Sequence, residues 1–381
     1  MKTLPFPKGF STHCRLTLGP VLLGWGLLGS GACSQRAVIA VEICAAGSER
    51  RDTLAEFVVP MQTGSAVTDV QEAGNGVPFQ ADPGDGGTQL AVLLAGTMAS
   101  DACRRIEVVR GGTPREVEQL VTADRVDEYW GEPAIRVRAR NATYYYHEGG
   151  SGFASIIDLD GNDWISYRPE GGFEGHYRGI PNIAPPDFHP GRPEGKRPSR
   201  IEAMGPLKVR IRSETEDGHW RVLWDILPDF ARMTLLSKGP EPYWILYEGT
   251  PGGSFDVEFD YWRDSAGKEM PMPPAAEVWN GRLPDPQWVF FGDRRIPRGL
   301  FLALDPHDSH WDEFWHRGSG GMTVFGFGRG PKPQWQYLDA EPARLEIGLL
   351  EDTDPDAVRL QVESASRPLE YRIGKWRPAG P

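Results

Sequence analysis

The sequence predicts an all-β protein in which a small N-terminal β-sandwich precedes a large antiparallel β-supersandwich. Three observations carry that expectation. Gly 46 and Pro 34 among 381 residues interrupt helices and supply turns throughout the chain. Short β-branched and aromatic runs recur between those turns, several with apolar and polar positions alternating. No repeat of fixed period is present, which speaks against a propeller.

The elements follow in chain order. Lys2, Lys8 and Arg15 precede an apolar run over 16–28 and the small residues Ser30-Gly-Ala32. The run has the length of a signal-peptide core and is too short to span a bilayer comfortably. Residues 1–32 are therefore expected to be a signal peptide, with Cys33 either the first mature residue or a lipid-anchored lipoprotein cysteine. The expected location is outside the cytoplasm: periplasm, outer membrane as a lipoprotein, or secreted. Residues 35–110 read as the small sandwich, with strands over 38–44, 56–60, 77–81, 90–95 and 104–110 separated by Gly, Asp and Asn turns. The polar stretch 111–127 reads as a connector, and 128–377 as the large sandwich. Its strands are longer, and 207–213 alternates as a strand with one wet face should. The one helix expected is short, over 311–317.

Composition limits the function. The formal net charge is −12, which excludes nucleic acid as a general partner, because binding it needs clustered cations. No nucleophile elbow, phosphate loop or dinucleotide fingerprint occurs, and no cofactor or metal is expected. Cys44 and Cys103 lie in the small sandwich, either as a disulfide closing a loop of about 60 residues or as two buried thiols.

Three segments could carry chemistry. The densest is Gly171-Gly-Phe-Glu-Gly-His176-Tyr177-Arg178-Gly-Ile-Pro-Asn182, continuing to Asp187-Phe-His189. Loops on a rigid sheet concentrate binding residues, and lyase chemistry on a uronic acid needs a cation on the carboxylate and a His or Tyr as base. On a strand, only His176 and Arg178 of this run would share a side. The plain alternative is a structured loop satisfying its own backbone. The second segment is Trp244 to Tyr247 followed by Glu248-Gly-Thr-Pro-Gly-Gly, where a carboxylate among aromatics could act as acid or base; the plain alternative is a turn cap. The third, 305–316, holds three His and four carboxylates without a metal-ligand spacing. Asp158-x-Asp160-Gly-Asn162 likewise reads as a hairpin turn, since its Gly is misplaced for a calcium loop. Trp164, Trp220, Trp279 and Trp311 stand near turns, where they could stack on sugar, although most of the 13 Trp are expected in the core.

Two stretches carry a family resemblance. Val77-Pro-Phe-Gln, Leu90-Ala-Val-Leu-Leu-Ala-Gly and Arg104-Arg resemble the first domain of exo-rhamnogalacturonan-lyase-like proteins. Gly152-Phe-Ala-Ser-Ile-Ile-Asp-Leu-Asp-Gly-Asn-Asp-Trp-Ile is similar to the opening hairpin of galactose-mutarotase-like β-sandwiches. The resemblance implies an exported protein acting on a plant or algal polysaccharide or oligosaccharide, by β-elimination of a uronic acid or by hydrolysis. The rival implication is a non-catalytic carbohydrate-binding or cell-surface module. On the catalytic reading, His176 or His189 accepts the proton, Arg178 meets the sugar carboxylate and Glu248 is the partner acid. Tyr177, Asn182, Trp244 and Tyr247 then line the cleft.

Overall fold

The computed structural model describes residues 36–61, 66–84, 86–170, 177–192, 198–274, 277–317 and 321–379. The expected signal segment, Cys33 and His176 lie outside these residues. Among them the regular secondary structure is nearly all strand, and every strand pairing is antiparallel.

Alternation builds the large sandwich. One nine-stranded sheet runs in the order Trp279–Gly281, Asp312–Arg317, Met322–Phe327, Trp244–Gly249, Gly179–Ala184, Gly152–Asp158, Ala142–His147, Glu132–Arg138 and Thr122–Tyr129. A second nine-stranded sheet holds Val209–Glu214, Arg221–Ile226, Phe230–Ser237, Ala343–Leu350, Gly299–Asp305 and Trp288–Asp293 at its centre. Their inner faces share one core, in which Tyr144, Tyr146 and Phe153 of the first sheet meet Trp224, Leu302 and Leu345 of the second. Phe153 and Trp224 pack edge to face with centroids 4.6 Å apart, the arrangement that ring quadrupoles favour. Trp164 and Trp220 are buried in this core rather than near a sugar face.

The small sandwich pairs Ala37–Cys44 with Cys103–Arg110 in one sheet and stacks it on Arg50–Val59, Gly87–Met98 and Phe79–Gly84. Cys44 and Cys103 are directly opposite each other on the paired strands and form a disulfide, Cα–Cα 4.0 Å. The C-terminal strand Glu370–Ile373 returns to pair with Ala37–Cys44. The chain that builds the large sandwich thus ends by closing the small one. Strand Thr122–Tyr129 begins within the stretch expected to be connector, 111–127, and forms an edge of the first large sheet.

Buried ion pairs join the two sandwiches. Lys208, fully buried, lies 3.4 Å from Glu56 and 3.5 Å from Asp82 of the small sandwich. Arg232 bridges Glu56 and Glu346. Charges removed from water persist only when partnered, so this network ties the small sandwich to one position on the second large sheet.

Two expectations about helix are overturned. Residues Asp312–Arg317 form a strand: Asp312, Phe314 and His316 are buried while Glu313 and Trp315 are half-buried on the other face, a period of two. The helix is Pro355–Ser366, where the Asp354 carboxylate accepts from the Asp356 and Ala357 N–H groups and Pro355 opens the first turn. Val358 and Val362 dock it against Phe230 and Phe301.

Candidate functional site

Strand Trp244–Gly249 sorts its residues between two faces. Ile245 and Tyr247 enter the core, whereas Trp244, Leu246 and Glu248 face outward from the sandwich. Register places neighbours beside them: Glu248 is opposite Gly179 and Val324, and Leu246 is opposite Asn182 and Gly326. Val324 is in turn opposite Trp315, and Gly326 opposite Glu313. Leu246, Met322 and Val324 are consequently buried beneath Tyr177, Trp244 and Trp315 on the outer side of the sheet.

Glu248 is fixed at one end of this face. Asn182 donates through Nδ2 to Glu248 Oε2 at 2.9 Å, and His189 Nε2 lies 3.5 Å from the same oxygen. Both the His189 and Glu248 side chains are almost wholly buried. The Gly191 N–H donates to His189 Nδ1 at 3.0 Å, so the ring proton sits on Nε2, where it is donated to the Tyr177 carbonyl at 3.0 Å. Gly179 permits this approach: a Cβ there would lie 2.4 Å from Pro190 Cγ and 3.0 Å from His189 Nε2. Among the described residues, Glu248 Oε1 accepts no hydrogen bond.

The middle of the face carries a group that sequence reasoning missed. The Arg329 guanidinium lies over Trp244 and Trp315, 5.1 and 5.8 Å from the ring centroids, and its Nε pairs with Glu313 Oε1 at 2.9 Å. Gly326 leaves room for it, since a Cβ there would lie 2.9 Å from Arg329 Cβ. Burial pushes the Glu313 carboxyl up, and the adjacent Arg329 opposes that shift. The signal lay in Trp244, Trp315 and Arg329, but seeing it required the pairing of Asp312–Arg317 as a strand.

The expected site residues divide as follows. Tyr177, Asn182, His189, Trp244 and Glu248 come together on the outer face. Tyr247 does not: its hydroxyl donates to the Trp164 carbonyl at 2.7 Å in the core, the direct consequence of its being next to outward-facing Glu248. Arg178 donates to the backbone carbonyls of Ser166 and Gly321 at 3.1 and 3.2 Å, so its guanidinium holds two loops in place. In the third segment, His307 pairs with Asp285, while His316 Nε2 donates to the Pro273 carbonyl. Asp158 accepts from the Asp160 and Asn162 N–H groups and pairs with Arg298, an ordinary hairpin turn.

No family model and no curated protein matches the chain. Among solved structures it is similar to a galactose mutarotase related enzyme from Lactobacillus acidophilus, with 8% identity and a TM-score of 0.41, covering 61% of this chain and 99% of that one. It is also similar to a galactose mutarotase-like protein from Lactobacillus casei, with 10% identity and a TM-score of 0.38, covering 57% of this chain and 99% of that one. At those values neither likeness bears on what this chain binds or does.

Proposed function

We propose that the protein acts on a carbohydrate bound across the outer face of the nine-stranded sheet, with Glu248 as the proton-transferring carboxylate. The observation that carries this reading is one buried carboxylate, oriented by Asn182 and His189, at the end of a face bordered by Tyr177, Trp244 and Trp315. Aromatic rings suit the apolar faces of sugars, and a fixed carboxylate suits acid–base work on their oxygens.

Hydrolysis fits the residues better than β-elimination. Elimination needs a free cation for the uronate carboxylate and a basic nitrogen or phenolate. Arg178 is engaged by two carbonyls, Arg329 by Glu313, and His189 Nε2 carries its proton toward Tyr177. Glu313 is a second carboxylate on the same face, two strands away from Glu248.

Export belongs to the same proposal. The basic, apolar and small-residue order of residues 2–33 supports it, and the Cys44–Cys103 disulfide suits an oxidising compartment. A lipid on Cys33 would then attach the protein to a membrane.

The rival reading, a carbohydrate-binding module without chemistry, draws on His189, whose two ring nitrogens are both engaged by backbone. Incubation of the mature protein with neutral and uronate polysaccharides separates the readings. New reducing ends without unsaturated-product absorbance support hydrolysis, and loss of those ends in Glu248→Gln assigns the carboxylate. Binding with neither product supports the module. No binding to any polysaccharide refutes the proposal.

A further inference from the structure

We infer that the cavity beneath the Pro355–Ser366 helix is a second sugar-binding site, which takes a single sugar ring. Its lining residues are separate from those of the outer face, so the inference is independent of chemistry at Glu248.

The cavity measures about 350 Å³ and lies where three parts of the fold meet. Arg51, Asp52 and Leu54 come from the small sandwich, Gln361 from the helix, and Phe230 and Phe301 from the large sandwich. Ligand sites collect at such junctions, and this volume is at the small end of the roughly 300–1,000 Å³ that they span. A bulge shapes the small-sandwich side. The register shift between Arg51 and Thr53 leaves Asp52 at φ 46°, so that Arg51, Asp52 and Leu54 line the cavity together instead of alternating.

The walls offer two kinds of surface. Phe230, Phe301 and Leu350 belong to one apolar cluster, against which Leu54 and Ala365 pack. Around it are polar groups whose bonding capacity is only partly used. Arg140 donates Nε and Nη2 to Asp229, which leaves Nη1. Arg298 directs both of its bonds with Glu351 to Oε2, which leaves Oε1. The Gln361 amide makes no hydrogen bond among the described residues. Asn141 is 7% exposed; its Nδ2 donates to the Asp229 and Leu349 carbonyls at 2.9 and 2.7 Å, and its Oδ1 is buried without a donor. A buried acceptor left unmet costs free energy, which a ligand hydroxyl in this cavity would recover.

The mixture of open groups sets the ligand class. A carboxylate brings only acceptors, an ammonium only donors, and an aliphatic chain neither. A sugar ring brings hydroxyls that do both, together with a C–H face suited to Phe230 and Phe301. The volume limits the ligand to one ring, either a monosaccharide or the end residue of a longer chain.

The test is ligand-detected NMR titration of the mature protein with the methyl glycosides of glucose, galactose, mannose, xylose, arabinose and rhamnose. Cyclohexylmethanol, a ring of similar size with one hydroxyl, is titrated beside them. At least one glycoside should bind, and more tightly than cyclohexylmethanol. Gln361→Ala should weaken that binding roughly three- to tenfold, the scale of one lost hydrogen bond. Gln361→Trp, which fills the cavity, should abolish it, while Trp244→Ala should leave it unchanged. Circular dichroism checks that each variant is folded, and Gln361→Ala, which removes only the amide, decides the matter if the larger variant misfolds. Binding unchanged in Gln361→Ala, binding that survives in folded Gln361→Trp, or binding lost in Trp244→Ala overturns the second site. So does cyclohexylmethanol binding as tightly as any glycoside, or no glycoside binding at all. Each of these results leaves the outer-face proposal, which is tested on polysaccharides, standing.

Discussion

Removing the Cys44–Cys103 bridge should destabilise the protein by about 4 kcal/mol, and the size of that effect follows from chain topology. The two cysteines are separated by 59 residues. That loop contains all three strands of the second sheet of the small sandwich, Arg50–Val59, Phe79–Gly84 and Gly87–Met98. Cross-linking a loop of this length lowers the entropy of the unfolded chain by an amount worth about 4 kcal/mol at 25 °C. The folded state loses little else on Cys44→Ala/Cys103→Ala. Cys44 and Cys103 stay paired through the strand backbone, and the removed sulfur of Cys103 comes from an exposed position. For a chain of this size the change corresponds to a drop of about 5 °C in Tm. Urea denaturation of the wild type and the double variant, followed by far-UV circular dichroism, gives the comparison. A difference below about 1 kcal/mol would refute the reasoning, because it would mean that the unfolded chain gains no freedom from losing the bridge.

Two further outcomes follow from the buried charges. Burial pushes Asp260, Asp312 and Glu346 up to about 7 from ordinary values of 3.8, 3.8 and 4.5. Between those ordinary values and about 7 the folded state binds more protons than the unfolded one. Stability from these groups is therefore fully present at the acidic end and is lost as pH rises through 7. Tm should fall from pH 6 to pH 8, with a shallower fall in Asp260→Asn; a rise over that range contradicts the assignment. Arg232→Met should cost about 3–5 kcal/mol, since it leaves Glu56 and Glu346 buried without their shared partner. A urea midpoint unchanged from wild type would show that the two sandwiches are not held by this network.

Much of the fold was legible because alternation and turn chemistry are local. The strands around 300–304, 322–327 and 344–350 are each a short β-branched or aromatic run between turn residues, and they stand as Gly299–Asp305, Met322–Phe327 and Ala343–Leu350. The two large misses have physical causes. Trp311 to Arg317 is rich in acidic residues and Trp, which suggests a helix start, but tertiary pairing with Met322–Phe327 imposes a period of two. The Pro355–Ser366 helix carries a clear start signal in Asp354-Pro355, yet only two of its apolar residues, Val358 and Val362, are buried, so its periodicity is faint.

The candidate site was legible in part for the same reasons. Glu248 and Trp244 could be chosen together because they lie at even spacing on one strand. Tyr247 should have been excluded by that same rule. His189 and Asn182 come from a different strand and its following loop, and their meeting with Glu248 depends on Gly179 admitting Pro190. Glu313 lies on strand Asp312–Arg317 and Arg329 just past the end of the adjacent strand Met322–Phe327, and a meeting of that kind is written in register rather than in sequence spacing.

The most direct test of the central claim is a crystal structure of Glu248→Gln bound to the oligosaccharide that binds the wild type most tightly. The account predicts sugar electron density on the outer face of the nine-stranded sheet, with one ring within hydrogen-bond reach of residue 248 and Asn182 and another against Trp244. Density elsewhere, for example in the cavity beneath the Pro355–Ser366 helix lined by Asn141, Phe230 and Phe301, with the outer face empty, would contradict it.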